Sequence, residues 1–192
     1  MLLLYPIESV ALTIVFRRLS PNIVCQVEKT VVMKAFGIIN ASAGGGIDML
    51  MEFPLPVPQL RPRDILVAVD ASGVNQVDCK ARAGSIPVER DHWYPVKLPK
   101  VLGYSGAGVV EALGSAATLF SVGDAVFFAG CITRDGTNAT FCAVDERVVG
   151  HAPTKFSATL SAGMPLTVLT AYEGLEQLGL RLACKDDESC GN

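Results

Sequence analysis

Between Met33 and Gly150 glycine and proline cut the chain into short apolar runs, and this rhythm limits the available folds more than any other feature. The runs are MKAFGII, IDMLMEF, DILVAVDASGV, GAGVVEALG, SVGDAVFF and NATFCAVDERVVG, each short enough for one strand. From Ile65 to Val74 apolar and polar residues alternate, the pattern of a half-buried strand. Short strands at regular spacing predict a small β-barrel. PLPVPQLRPRD carries Pro54, Pro56, Pro58 and Pro62, which predicts an extended connector. NQVDCKARAG predicts one or two helical turns ended by Gly84, and SIPVERDHWYPVKLP a loop. Beyond Pro153 the apolar spacing turns helical in SATLSAGMPLTVLTAYEGLEQLGL, with Pro165 opening a second helix. The fold class is mainly β, a partly open barrel with C-terminal helices (α+β).

Half of the 192 residues are hydrophobic and 18% are charged, which suits a packed core and excludes disorder. A net charge of −3 without a basic run excludes nucleic acid as a partner. The six cysteines form no C-x-x-C pair, and His92 and His151 stand apart, so no zinc set is legible. They read as buried free thiols in a reducing, cytoplasmic setting. MLLLYPIESVALTIVFRRLS is apolar but broken by Pro6 and Glu8, and Arg17 and Arg18 follow the apolar run rather than precede it. It is neither a membrane span nor a secretory signal. A mitochondrial presequence or an upstream extension of the reading frame fits it, and Met33-Lys34 reads as the natural domain start. Asn138-Ala139-Thr140 matches a glycosylation acceptor by chance.

VLGYSGAGVVEALG, residues 101–114, admits three readings. A nucleophile elbow needs G-x-S-x-G at a strand-to-helix turn. Here Ala107 stands where the second glycine belongs, and the continuation is strand-like. A dinucleotide loop needs a third glycine, and Glu111 takes that place. The third reading is a resemblance. The stretch is similar to the G-H-E-x-x-G segment of medium-chain dehydrogenases/reductases, and SGVNQVD (Ser72 to Asp78) resembles their G-V-C-H-x-D segment. With FSVGDAVFFAG, RDGTNATFCAVDERVVG and MPLTVLTAYEGL, the chain resembles the zinc-type alcohol dehydrogenase-like and quinone oxidoreductase group from Met33 to Leu180.

That resemblance implies a GroES-like catalytic domain followed by an NADPH-binding Rossmann domain. It further implies hydride transfer to a small-molecule quinone, enone or carbonyl substrate. Zinc-using members place a Cys, a His and a Glu where this chain has Asn75, Tyr104 and Ser105. An amide and a phenol are poor zinc ligands, so the resemblance implies no metal. It assigns Asn75, Tyr104, Asp78 and Tyr94 to catalysis. Asn75 positions nicotinamide or substrate, Asp78 anchors the turn presenting it, and Tyr104 or Tyr94 donates to the developing oxyanion. Asn75, Thr167 and Thr170 approach the cofactor. Plainer roles fit the same residues: Asn75 and Asp78 as helix caps, Tyr104 as a half-buried tyrosine with a wet hydroxyl, Tyr94 as loop packing, and Thr167 and Thr170 as core helix residues. Cys79 and Cys142 read as inert core thiols.

The expected divisions are an extension at 1–32, the GroES-like domain at 33–156, a helical linker at 157–180 and a divergent tail at 181–192. No complete G-x-G-x-x-G occurs, and the tail is short beside the roughly 100 residues of a nucleotide-binding domain. The expectation is therefore a truncated catalytic domain with impaired activity. Its alternative is a non-enzymatic GroES-like binding module; a zinc alcohol dehydrogenase is disfavoured. The linker helix is expected to expose an apolar face through which copies dimerise or aggregate.

Overall fold

The computed structural model describes residues 10–19, 22–39, 50–83, 85–89, 92–95 and 98–180, and side chains at 31–39, 50–83 and 98–180. Strands dominate, as the glycine and proline punctuation predicts. β1 (Val10–Leu19) and β2 (Asn22–Ile38) form an antiparallel hairpin with register running from Val10↔Val31 to Leu19↔Asn22. The MKAFGII strand thus begins well before Met33. β3 (Leu50–Pro56) pairs with the later half of β2. It includes Pro54 and Pro56, which were expected in a connector. They are tolerated because β3 ends the sheet order, where an outward-facing backbone needs no N–H.

The second sheet is antiparallel throughout. Its order is β10 (Phe141–Asp145), β4 (Asp64–Ser72), β8 (Ser105–Leu113), β9 (Ala125–Ala129) and β11 (Val149–His151). NATFCAVDERVVG therefore supplies two strands, separated by a 3-10 turn at Glu146–Val148. The buried Glu146 carboxylate fixes that turn by accepting the backbone N–H groups of Thr118 and Leu119, each at 2.7 Å, and pairing with Arg63 at 2.9 Å. The Leu119 N–H is the largest of the influences that hold its pKa below the usual value. β4 departs from the alternating pattern, because its first four residues, Asp64 to Val67, are all buried. Ile65, Val67, Val110, Phe120, Val126, Phe128, Cys142 and Val144 form the main core.

β7 (Lys100–Val101) pairs with β2 at Gly37 and Ile38. The two sheets are joined where β2 meets the segment before β10. Phe36 N donates to Asn138 O (2.7 Å), Thr140 N to Lys34 O (2.9 Å), and Ala35 bridges Ala139. This join gives the open, barrel-like arrangement expected.

α1 (Gln76–Arg82) follows β4. The segment read as a loop is instead a hairpin of β5 (Ser85–Glu89) and β6 (His92–Pro95). Ile86, Val88, Trp93 and Tyr94 suit strands, and Pro87 and Pro95 sit in a two-stranded ribbon, where both strands are edges and proline is tolerated. α2 (Ala158–Gly163) is capped by Ser157 Oγ, and α3 (Pro165–Gln177) opens on Pro165 as its spacing predicts. Leu160, Val168, Leu169, Tyr172 and Leu178 are exposed, so these helices do present an apolar surface. No described helix is long and apolar enough to cross a membrane.

The thiols divide. Cys142 is buried, and burial pushes it up to about 12, which leaves it inert. Cys79, expected in the core, is exposed because it lies on the outer face of α1. Cys131 is also exposed.

Candidate active site where the first helix meets the glycine turn

The site begins where β4 ends. Ser72 and Gly73 lead into Asn75, which takes extended geometry (φ −132°, ψ 167°) and forms the N-cap of α1. Asp78, three residues on, returns its carboxylate to Asn75 N at 2.8 Å and accepts Gly103 N at 2.7 Å. One buried carboxylate thus ties the start of α1 to the turn before β8. Its burial raises the Asp78 pKa, against the two N–H bonds that lower it. The Asn75 amide donates to Gly73 O at 3.3 Å.

Gly103 stands at φ +97°, where L side chains are strained. A Cβ there would also overlap Thr137 Oγ1 and the Asn138 backbone nitrogen. The turn aims Tyr104 inward. It is 1% exposed, packed against Ala81 and Leu102, and its hydroxyl has no partner among the described residues. The wet, half-buried tyrosine expected is therefore a dry one. Burial first, then the charges of Asp78 and Asp135, push its pKa up, so the phenol keeps its proton. Ser105 is fully buried and donates to Ala162 O at 2.6 Å, fastening β8 to the end of α2.

Thr167 and Thr170 are exposed on α3 rather than in the core. Their hydroxyls return to their own helix, Thr167 to Gly163 O and Met164 O, Thr170 to Leu166 O. The Ser105–Ala162 bond ties the end of α2 to β8; Thr167 lies in the first turn of α3 and Thr170 a turn farther along it. Tyr94 takes part in β6 opposite Ile86, and its side chain lies outside those described.

Sequence reasoning missed the polar cluster behind the site. Ser72 Oγ lies 2.6 Å from Thr137 Oγ1 and donates to Asn138 Oδ1 at 2.6 Å, and Thr137 Oγ1 donates to Ser105 O at 3.0 Å. The one available signal was the run GTNATF, read as a strand start, a chance glycosylation match and part of a family-like segment, but not as part of the site. The Asn138 side chain is engaged inward.

Asn75 and Tyr104, at the positions the resemblance gives to zinc ligands, and Ser105 beside them do not form a zinc donor set here. Ser105 is committed to a backbone carbonyl, the Tyr104 phenol stays protonated, and the Asn75 amide is neutral. Among the described residues no three His, Cys, Asp or Glu side chains converge. Two buried hydroxyls, those of Tyr104, which packs beside Ala81 of α1, and of Ser161 on α2, are without partners among the described residues.

The profile of the alcohol dehydrogenase GroES-like domain matches residues 61–170. The chain belongs to this family. The GroES-like domain is similar to a zinc-type alcohol dehydrogenase-like protein of Staphylococcus aureus (strain COL), 41% identical over 129 residues, covering 67% of this chain and 35% of the relative. It is 34% identical over 139 residues to the chloroplastic NADPH-dependent alkenal/one oxidoreductase of Arabidopsis thaliana, covering 68% of this chain and 34% of the relative. Among solved structures it matches the quinone oxidoreductase of Pseudomonas syringae pv. Tomato DC3000 with a TM-score of 0.62 and 27% identity, covering 76% of this chain and 41% of that one. The chain thus spans about a third of the length of these curated relatives. Its place is in the medium-chain dehydrogenase/reductase superfamily.

Proposed function

We propose that this chain is the catalytic domain of a zinc-independent, NADPH-dependent reductase of quinones, enones or carbonyls, and that by itself it turns over slowly. The observation that carries the reading is Tyr104, which stands at a former metal position as a buried, protonated phenol with an unused O–H, beside a Ser105 tied to Ala162. A reductase without a Lewis acid needs such a donor for the charge that builds on the substrate oxygen. The relatives named as NADPH-dependent and quinone oxidoreductases support the substrate class and the cofactor.

NADPH, when bound, supplies the hydride. Asn75, Thr167 and Thr170 are the residues proposed to hold it, with Asp78 keeping Asn75 in place. Tyr104 offers its proton toward the substrate oxygen, and Tyr94 is a second candidate donor. The divisions at 33–156 for the catalytic domain and 157–180 for a linker belong to this proposal, as does pairing of copies through the exposed faces of α2 and α3.

The test is enone-dependent oxidation of NADPH by the 192-residue chain, read by absorbance before and after dialysis against a zinc chelator. A slow rate unchanged by chelation is expected, falling at least tenfold in Tyr104→Phe, the usual scale for a lost oxyanion donor or general acid. A rate abolished by chelation and restored by zinc would show a metal enzyme. No rate under any condition would favour the non-enzymatic binding module.

A further inference from the structure

A cavity of about 670 Å³ lies between β3 and the segment that links β9 to β10. Its size falls within the range of small-molecule sites. None of Asn75, Asp78, Tyr104, Thr167 or Thr170 lines it, so it goes beyond the reductase reading. Met33, Leu55, Leu98 and Phe141 give it an apolar wall.

Its charged lining is unbalanced. Arg61, Lys100 and Arg134 face a single carboxylate, Asp135. Arg134 is already committed to Asp64 through two hydrogen bonds of 2.9 and 2.6 Å. Asp135 accepts Val101 N at 3.4 Å. Lys100 is only 6% exposed, yet it forms no salt bridge among the described residues. Its ammonium donates to Ile132 O at 3.3 Å and to Arg134 O. That accounts for two of its three N–H bonds, and the ammonium also lies over the Tyr104 ring, 5.9 Å from its centroid. Burial holds the Lys100 pKa below its ordinary value, opposed by the charge of Asp135, which forms no salt bridge with it. Arg61 is exposed at the rim and likewise carries no ion pair among the described residues.

A buried cation with one N–H that meets no hydrogen-bond acceptor among the described residues, a second cation at the rim and an apolar wall between them select for one kind of ligand. We propose that this cavity binds a small amphipathic monocarboxylate, its acid head on Lys100 and Arg61 and its hydrocarbon body against Met33, Leu55, Leu98 and Phe141. The carboxylate supplies the missing counter-charge through charge-assisted hydrogen bonds, and the body gains from leaving water. A dianion is disfavoured by Asp135, and a wholly polar acid leaves the apolar wall unused.

The test is calorimetric titration of the 192-residue chain with octanoate, with 1-octanol (same body, no charge) and acetate (same head, no body) as comparisons. Octanoate is expected to bind at least tenfold more tightly than octanol, and acetate to give no measurable heat. Lys100→Met is expected to bring octanoate down to the level of octanol while octanol is unchanged. Arg61→Ala, an exposed side chain that folding tolerates, is expected to weaken octanoate at least threefold. Octanoate binding no tighter than octanol overturns the proposal. So does wild-type octanoate affinity in Arg61→Ala, the variant that decides the matter if Lys100→Met does not fold.

Discussion

Gly103→Ala is expected to lower the free energy of unfolding by about 3 kcal/mol, the sum of two separate costs. The first is backbone strain: Gly103 sits at φ +97°, and an L residue in that region loses on the order of 1 kcal/mol. The second is crowding, because the new Cβ overlaps Thr137 Oγ1 and both the backbone and side chain of Asn138. Overpacking against a fixed neighbour costs roughly 2 kcal/mol. These atoms cannot withdraw easily, since Thr137 and Asn138 are held by Ser72 and by the backbone of Leu102 and Gly103. Gly123→Ala separates the two costs. Gly123 has the same φ of +97° but nothing within 4 Å of its missing Cβ, so strain alone applies, about 1 kcal/mol. Urea midpoints of the two variants, followed by the fluorescence of the single tryptophan, Trp93, give the difference directly. Equal losses would contradict the packing of the Thr137 cluster against the glycine turn.

Arg134→Met is expected to cost about 3 kcal/mol at pH 7, because it strands a buried carboxylate. Asp64 is 1% exposed, and Arg134 grips both of its oxygens while Arg61 N donates to one of them at 2.9 Å. The side-chain bond from Arg134 is the largest influence on Asp64 and holds its pKa below the usual value, burial opposing it. A depressed carboxyl contributes stability above its unfolded pKa of about 4, and that contribution fades as pH falls through the lower folded value. The gap between wild type and Arg134→Met should therefore narrow as pH drops below about 4. Adding Asp64→Asn to Arg134→Met should recover part of the loss at pH 7, since no buried charge then lacks a partner. Denaturant unfolding at neutral and acid pH checks both statements, and a gap that widens in acid would contradict them.

The β-rich fold was legible because its signals are local. Glycine and proline mark the ends of β4, β8 and β9, and Pro165 marks the start of α3. The failures are equally specific. Pro54 and Pro56 argued against a strand only for a reader unaware that β3 lies at a sheet edge, which is a tertiary fact. Alternation in DILVAVDAS predicted one wet face, but the central place of β4 buries its first four residues together. The hairpin of β5 and β6 was hidden by its own prolines. In the candidate site, Asn75 and Asp78 stood out through the resemblance of SGVNQVD to a family segment, and their plainer role as a helix cap is also legible because a cap followed by an acid three residues later is a local pattern. The Ser72–Thr137–Asn138 cluster joins residues more than sixty positions apart in the chain, and Tyr104 packs on Ala81 of a different element. Spacing alone does not encode that contact. Lys100 gave no sequence signal, since nothing nearby shows that a lysine following Pro99 at the start of a two-residue strand is buried.

The most direct measurement is thermal unfolding of the 192-residue chain with and without saturating NADPH, with zinc excluded by chelator in both. Binding to the native state alone raises the midpoint. The account predicts a cooperative transition that moves up by a few degrees with NADPH. It also predicts that zinc leaves the transition unmoved. A cooperative transition that NADPH does not move at all would contradict a cofactor site built on Asn75, Thr167 and Thr170.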